Sequence, residues 1–309
     1  MYKRQTLAYV LQDAQVDTWV GTWDALARRW AEPTPLTRTG YQERPSAWSS
    51  DSARVWYTSD EGGRVRAVEH APGGAPKRRA ASSFSESWVF EHGGALFGWR
   101  WAEGARDVAL VRTDAESPEG RPLWSVPLIS TGRGNQLPPL NVRARCASGG
   151  QRCFWSDDSG GAFTLQAFDP ESGVRGDVVL QQKEPVISAH GWDVSPDGSQ
   201  VALPAGPGAV TVVGLQSGER RTVVGPVECL LQYAAFAPGD SGLFVTATCD
   251  TRPAFRLLHL GVDGTSTLLY RSESAWLAHP SVSPDGTKLA LAVKAHSTDI
   301  WVLAPRVEP

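Results

Sequence analysis

Short apolar runs alternate with polar turn residues along almost the whole chain. Runs rich in Val, Leu, Ala, Phe and Trp end in Gly, Pro, Asp or Ser, and another run follows. The runs are short and punctuated by turn residues, which predicts strands and not helices. Two segments show the pattern most fully. One is Val282-Ser283-Pro284-Asp285-Gly286-Thr287-Lys288-Leu289-Ala290-Leu291; the other is Val194-Ser195-Pro196-Asp197-Gly198-Ser199-Gln200-Val201-Ala202-Leu203. Pro presets φ, Asp bonds its own backbone and Gly accepts positive φ, so each segment predicts a β-hairpin.

Weaker copies fall in step at Ser49-Ser50-Asp51-Ser52, Glu91-His92-Gly93-Gly94, Cys146-Ala147-Ser148-Gly149-Gly150 and Ala237-Pro238-Gly239-Asp240-Ser241-Gly242. Pro196, Pro238 and Pro284 are 42 and 46 residues apart, against roughly 40–45 for a four-stranded propeller blade. Third strands are expected at 65–69, 107–112, 163–168, 210–215, 256–260 and 299–303, and fourth strands at 221–224 and 267–270. At the chain start, 7–11 reads as a second strand, 18–23 as a third and 35–37 as part of a fourth. The only short helical pattern is 24–29.

The fold class is therefore all-β: a β-propeller of four-stranded antiparallel blades. Seven second and seven third strands, with six first and six fourth, favour seven blades with incomplete first and last units. Six blades is the alternative. An open ring leaves unpaired edges, so the missing strands point to a lost upstream segment. Residues 1–5, Met1-Tyr2-Lys3-Arg4-Gln5, resemble a translated library adapter and are expected to be a non-native leader. Residues 6–305 would form one propeller domain, monomeric, with 306–309 as a tail.

A net charge of −3 gives no basic field for nucleic acid. No apolar run reaches the roughly 18 residues of a membrane span. Of the four cysteines, Cys146 and Cys153 flank one hairpin, and Cys229 and Cys249 sit on neighbouring strands of another. Disulfides Cys146–Cys153 and Cys229–Cys249 are geometrically reasonable and would place the chain in an oxidising, extracytoplasmic compartment. Four buried thiols are the other reading. No Cys-x-x-Cys spacing suggests a metal, and no cofactor motif is present.

Catalytic motifs are also missing. Gly239-Asp240-Ser241-Gly242 has the look of a protease nucleophile segment but occupies the hairpin-turn slot. No Gly-x-Ser-x-Gly elbow exists. Binding candidates come from the expected first strands, which line a propeller's channel: Arg44, His190, Trp192, Asp193, Gln232, Tyr233, Trp276 and His279. The competing reading packs them between blades. Trp48, Trp56, Trp99, Trp101, Trp155, Trp192 and Trp301 recur near strands, where aromatic rings mostly join blade to blade.

The Ser-Pro-Asp-Gly hairpins, Leu289-Ala290-Leu291 and Asp299-Ile300-Trp301-Val302-Leu303 resemble the TolB-type propeller repeat. A narrower resemblance runs through Cys146…Cys153, Ala167-Phe168-Asp169-Pro170 and Gly191-Trp192-Asp193-Val194. It is to C-terminal propellers of bacterial multidomain proteins that carry winged-helix or Ser/Thr kinase domains. It implies the extracytoplasmic sensory part of a larger protein and transfers no catalytic residue. The expected function is non-catalytic binding of a protein, peptide or glycan. The alternative is a lyase or hydrolase at the channel mouth, worked by residues such as His190, Asp193 and His279.

Overall fold

The computed structural model describes residues 7–63, 65–78, 89–101, 107–114, 117, 119–127, 142–150, 152–158, 162–183 and 191–303. Their strands form six four-stranded antiparallel sheets.

Blade one holds β3 (Glu43–Trp48), β4 (Val55–Ser59), β5 (Arg66–His70) and β6 (Lys77–Arg78). Blade two holds β7 (Val89–His92), β8 (Ala95–Trp101), β9 (Asp107–Thr113) and β10 (Arg121–Pro127). In blade three lie β11 (Val142–Cys146), β12 (Cys153–Asp157), β13 (Phe163–Phe168) and β14 (Arg175–Gln182). Blade four comprises β15 (Asp193–Val194), β16 (Gln200–Gly206), β17 (Ala209–Gly214) and β18 (Arg220–Val224). Blade five comprises β19 (Cys229–Phe236), β20 (Gly242–Cys249), β21 (Phe255–Gly261) and β22 (Ser266–Ser272). The sixth blade joins the two ends of the chain: β23 (Trp276–Val282) and β24 (Lys288–Leu303) pair onto β1 (Leu7–Asp24) and β2 (Arg29–Pro35).

Six blades, not the favoured seven, is a correction with a local cause. Residues 7–11 and 299–303 were expected as strands of separate units, but they pair with each other, from Leu7↔Leu303 to Leu11↔Asp299. The segments that follow and precede them, Gln12-Asp13-Ala14-Gln15 and Ala295-His296-Ser297-Thr298, contain no Gly or Pro. With no Gly or Pro to break it, each segment runs on as one long strand. The two incomplete units are thus two halves of one blade. Residues 24–29 are the β1–β2 turn rather than a helix; Asp24 Oδ1 accepts the Ala27 N–H at 2.9 Å.

Each neighbouring pair of blades shares an apolar layer. Blades four and five enclose Val212, Leu231, Leu243 and Leu260; blades two and three enclose Phe97, Trp99, Val142 and Trp155. The ring closes between blades six and one, where Val20, Trp48, Val55 and Ala290 pack together. There Trp48 Nε1 donates to the Ser281 carbonyl at 2.9 Å. The recurring tryptophans follow their expected role: Trp48, Trp56, Trp99, Trp155 and Trp192 are all buried.

The repeated turn has a fixed internal chemistry. Ser283 Oγ donates to Asp285 Oδ1 at 2.6 Å and accepts the Lys288 N–H at 2.9 Å. Ser195 does the same with Asp197 at 2.6 Å and Gln200 at 2.9 Å. Gly198 and Gly286 take φ of 71° and 72°. Blade one places Ser52, φ 58°, in the glycine position; its hydroxyl accepts the Asp285 N–H of blade six at 2.9 Å.

Candidate functional site

The six inner strands β3, β7, β11, β15, β19 and β23 stand side by side around one axis, and β23 meets β3. Their C-terminal ends open into a cavity of about 430 Å³, to which every blade contributes: Trp48, His92, Cys146, Val194, Phe236 and Val282. Around them lie the hairpin turns, including Ser148, Gly149, Pro196, Pro238 and Pro284. This rim is the channel mouth.

The expected channel residues separate into two groups, and Asp193 of the first also lines the cavity. Asp193 bridges three blades, contacting Arg145 of β11 and accepting the Phe236 N–H of β19 on Oδ2 at 3.0 Å. Trp192 is fully buried; its Nε1 donates to Ser156 Oγ at 2.8 Å and its carbonyl accepts from Arg143 at 2.8 Å. Both residues hold blades together. Gln232, Tyr233, Trp276 and His279 do converge. Gln232 Oε1 accepts from Trp276 Nε1 at 3.0 Å and Thr248 Oγ1 at 3.1 Å. The Tyr233 ring lies 4.4 Å from His279 and 5.7 Å from Trp276. The Arg44 guanidinium contacts Gln42, two residues away. His190 lies outside the described residues.

Two arginines missed in the sequence complete the channel wall. Arg143 and Arg145 alternate on β11 and so share a face. Arg143 is buried, and burial, followed by the neighbouring Arg145 charge, pulls its guanidinium well below the usual range; Asp193 and Tyr233 act the other way. Tyr233 belongs to blade five and Arg143 to blade three, so they act on each other past the blade between them. The Arg-Ala-Arg alternation before a hairpin was the available signal.

A second polar cleft of about 400 Å³ lies where blade one meets the β1–β2 side of blade six, lined by Thr37, Arg38, Glu43, Tyr57 and His70. Burial raises the Glu43 carboxyl, opposed by Thr37 and Thr39 bonds and reinforced by Asp17. Asp17 is raised by burial too, against bonds from Gln15 and Thr37.

Both expected disulfides are present, Cys146–Cys153 and Cys229–Cys249, each joining directly opposed residues with Cα atoms 4.0 Å apart. Among the described residues one group has metal-ligand character: His92 with Cys146 and Cys153. Ser241 sits in its turn, with the Ala237 N–H bonded to the Gly242 carbonyl at 2.9 Å. Its hydroxyl has no hydrogen-bond partner, and hence no histidine base, among the described residues.

No family model and no curated protein matches the sequence. Solved structures do match the fold. The chain is similar to a putative TolB from Agrobacterium tumefaciens, 13% identical over 91% of this chain and 99% of that one, with a TM-score of 0.62. It is similar to a chain of a nidogen/laminin complex, 10% identical over 82% of this chain and 93% of that one, with a TM-score of 0.59. An oligogalacturonate lyase in complex with manganese matches at 12% identity over 95% and 98%, with a TM-score of 0.50. Identities this low establish a TolB-like propeller fold; fold alone assigns no activity.

Proposed function

We propose that this chain is a non-catalytic binding propeller whose channel mouth receives a protein, peptide or glycan ligand. One observation carries the reading. Asp193, the acidic residue an axial catalytic site would use, is held by Arg145 and the Phe236 N–H. A general base must reach its substrate proton, and this carboxylate is already occupied between blades. The mouth instead offers turns, small polar residues and main-chain groups on a rigid ring, which suits recognition. Two disulfides and no free cysteine support an extracytoplasmic location. The resemblance to propellers of multidomain bacterial proteins supports a sensory role within a larger protein.

The test fills the mouth. Ser50 and Ser148 are exposed there, so Ser50→Trp with Ser148→Trp blocks it without entering the core. Immobilised protein is challenged with a periplasmic extract and a glycan array. Capture by the wild type that is lost in the filled variant, and kept by Val178→Asp on the outer strand β14, supports the proposal. Equal capture by wild type and filled variant removes the mouth as the site. Turnover of oligogalacturonate with Mn²⁺, abolished by filling, replaces binding with the lyase or hydrolase alternative.

A further inference from the structure

His92 ends β7, Cys146 ends β11 and Cys153 begins β12. One His92 ring nitrogen and the two sulfurs all lie within 4.8 Å of one another. His92 and Cys146 line the channel-mouth cavity and are half-buried, while Cys153 closes the cluster from the core side. In the oxidised chain the sulfurs are bonded to each other. After reduction they would still face each other, because the β11–β12 ladder sets Cys146 opposite Cys153 with Cα atoms 4.0 Å apart.

Tetrahedral zinc takes thiolate sulfur at about 2.3 Å and imidazole nitrogen at about 2.0–2.1 Å, so its ligand atoms stand roughly 3.5–4 Å apart. The 4.8 Å bound on the present separations is close to that spacing, so the freed cysteine side chains would need only small rotations to reach it. Thiolate and imidazole donors select zinc-like ions over calcium or magnesium. Two of the three donors, His92 and Cys146, line the cavity, so a fourth ligand could reach the ion from there.

We propose that Cys146, Cys153 and His92 form a redox-gated site for a thiophilic divalent cation of the zinc type, closed by the disulfide and opened by reduction. A dithiol supplies two electrons and two protons: its own sulfurs join, and the Cys146–Cys153 bond becomes two thiols. The incoming ion displaces both thiol protons to solvent, and neutral His92 donates its ring nitrogen. The fourth position holds water or a donor atom of a molecule at the mouth. Cation binding at these three residues does not require the ligand proposed above.

The test uses the full chain, reduced anaerobically with a phosphine that does not compete for metal, and titrated with Co²⁺. A single cobalt ion per chain with thiolate-to-cobalt charge-transfer bands, displaced by Zn²⁺, is the expected result. The disulfide form shows no bands. His92→Ala weakens binding about tenfold or more, and Cys146→Ser removes the bands. Cys229→Ser with Cys249→Ser leaves them intact. Near-ultraviolet circular dichroism follows folding in each case. The proposal is overturned if the folded, reduced chain gives no bands, if His92→Ala binds as the wild type does, if the bands depend on Cys229 and Cys249, or if reduction of Cys146–Cys153 unfolds the ring.

Discussion

Gly286 shows how much one turn residue decides. Its φ is 72°, and a Cβ there would lie 2.5 Å from Pro238 Cβ in the neighbouring blade's turn. Gly286→Ala is expected to destabilise the fold by about 2 kcal/mol through the left-handed backbone alone, with the clash adding to it. Urea unfolding measures this; an unchanged midpoint would contradict it. Beside it, Asp285 titrates at about 2: desolvation opposes ionisation, but bonds from Ser283 and Thr287 outweigh it. His259 has the opposite character. It is fully buried between the Trp23 and Phe244 rings, at 5.2 and 5.5 Å, and neither ring nitrogen has a hydrogen-bond partner among the described residues. Burial first, then the Arg28 charge, holds its imidazole below the usual range, with Asp263 opposing. The unfolded chain therefore binds a proton that the folded chain refuses. This contribution to stability is fully present above about pH 6.5 and is lost as pH falls from there toward the lowered folded value. The wild type should lose stability relative to His259→Phe as pH falls below about 6.5; equal slopes in urea titrations would contradict the assignment.

Hairpins, the elements of this fold, were largely legible because their information is local. Ser-Pro-Asp-Gly encodes its own turn, and the third strand of blade three was expected at its observed bounds, Phe163–Phe168. Both disulfides were legible for the same reason: each joins strands adjacent in sequence. What was not legible depends on contacts between distant segments. The pairing Leu7↔Leu303 crosses nearly the whole chain; the lack of Gly or Pro in residues 12–15 and 295–298 permits a long strand but does not say what that strand pairs with. His92 meets Cys146 only because two inner strands stand together, so no spacing rule could have found it. Trp192 reads equally well as a channel ligand or as inter-blade packing until the ring places it in the core. Two element-level outcomes follow. Leu243→Ala, in the layer between blades four and five, should cost about 2–5 kcal/mol. Replacing Cys229 and Cys249 by Ala should cost about 2–3 kcal/mol. Denaturant midpoints check both, and a change under about 0.5 kcal/mol in either would show that the layer or the cross-link is not part of the cooperative fold.

The whole molecule depends on ring closure. Six inner strands fix the size of the channel mouth and set His92 beside the Cys146–Cys153 hairpin. Closure rests on β1 pairing with β24, supported by the Thr18 hydroxyl donating to the Glu43 carbonyl at 3.0 Å and Lys288 Nζ donating to the Ser52 carbonyl at 3.0 Å. The most direct measurement is a cross-link between the chain's two ends. Thr22 and Lys288 are paired across β1 and β24, and the adjacent Trp23 N–H bonds the Thr287 carbonyl at 2.8 Å. They therefore form the closer-spaced, non-hydrogen-bonded type of pair, which suits a disulfide. Thr22→Cys with Lys288→Cys should oxidise to an intramolecular disulfide in the folded protein, holding the ends together after a protease nick between them. If the two thiols stay free in folded protein, residues 22 and 288 lie in different blades and the six-bladed ring is wrong.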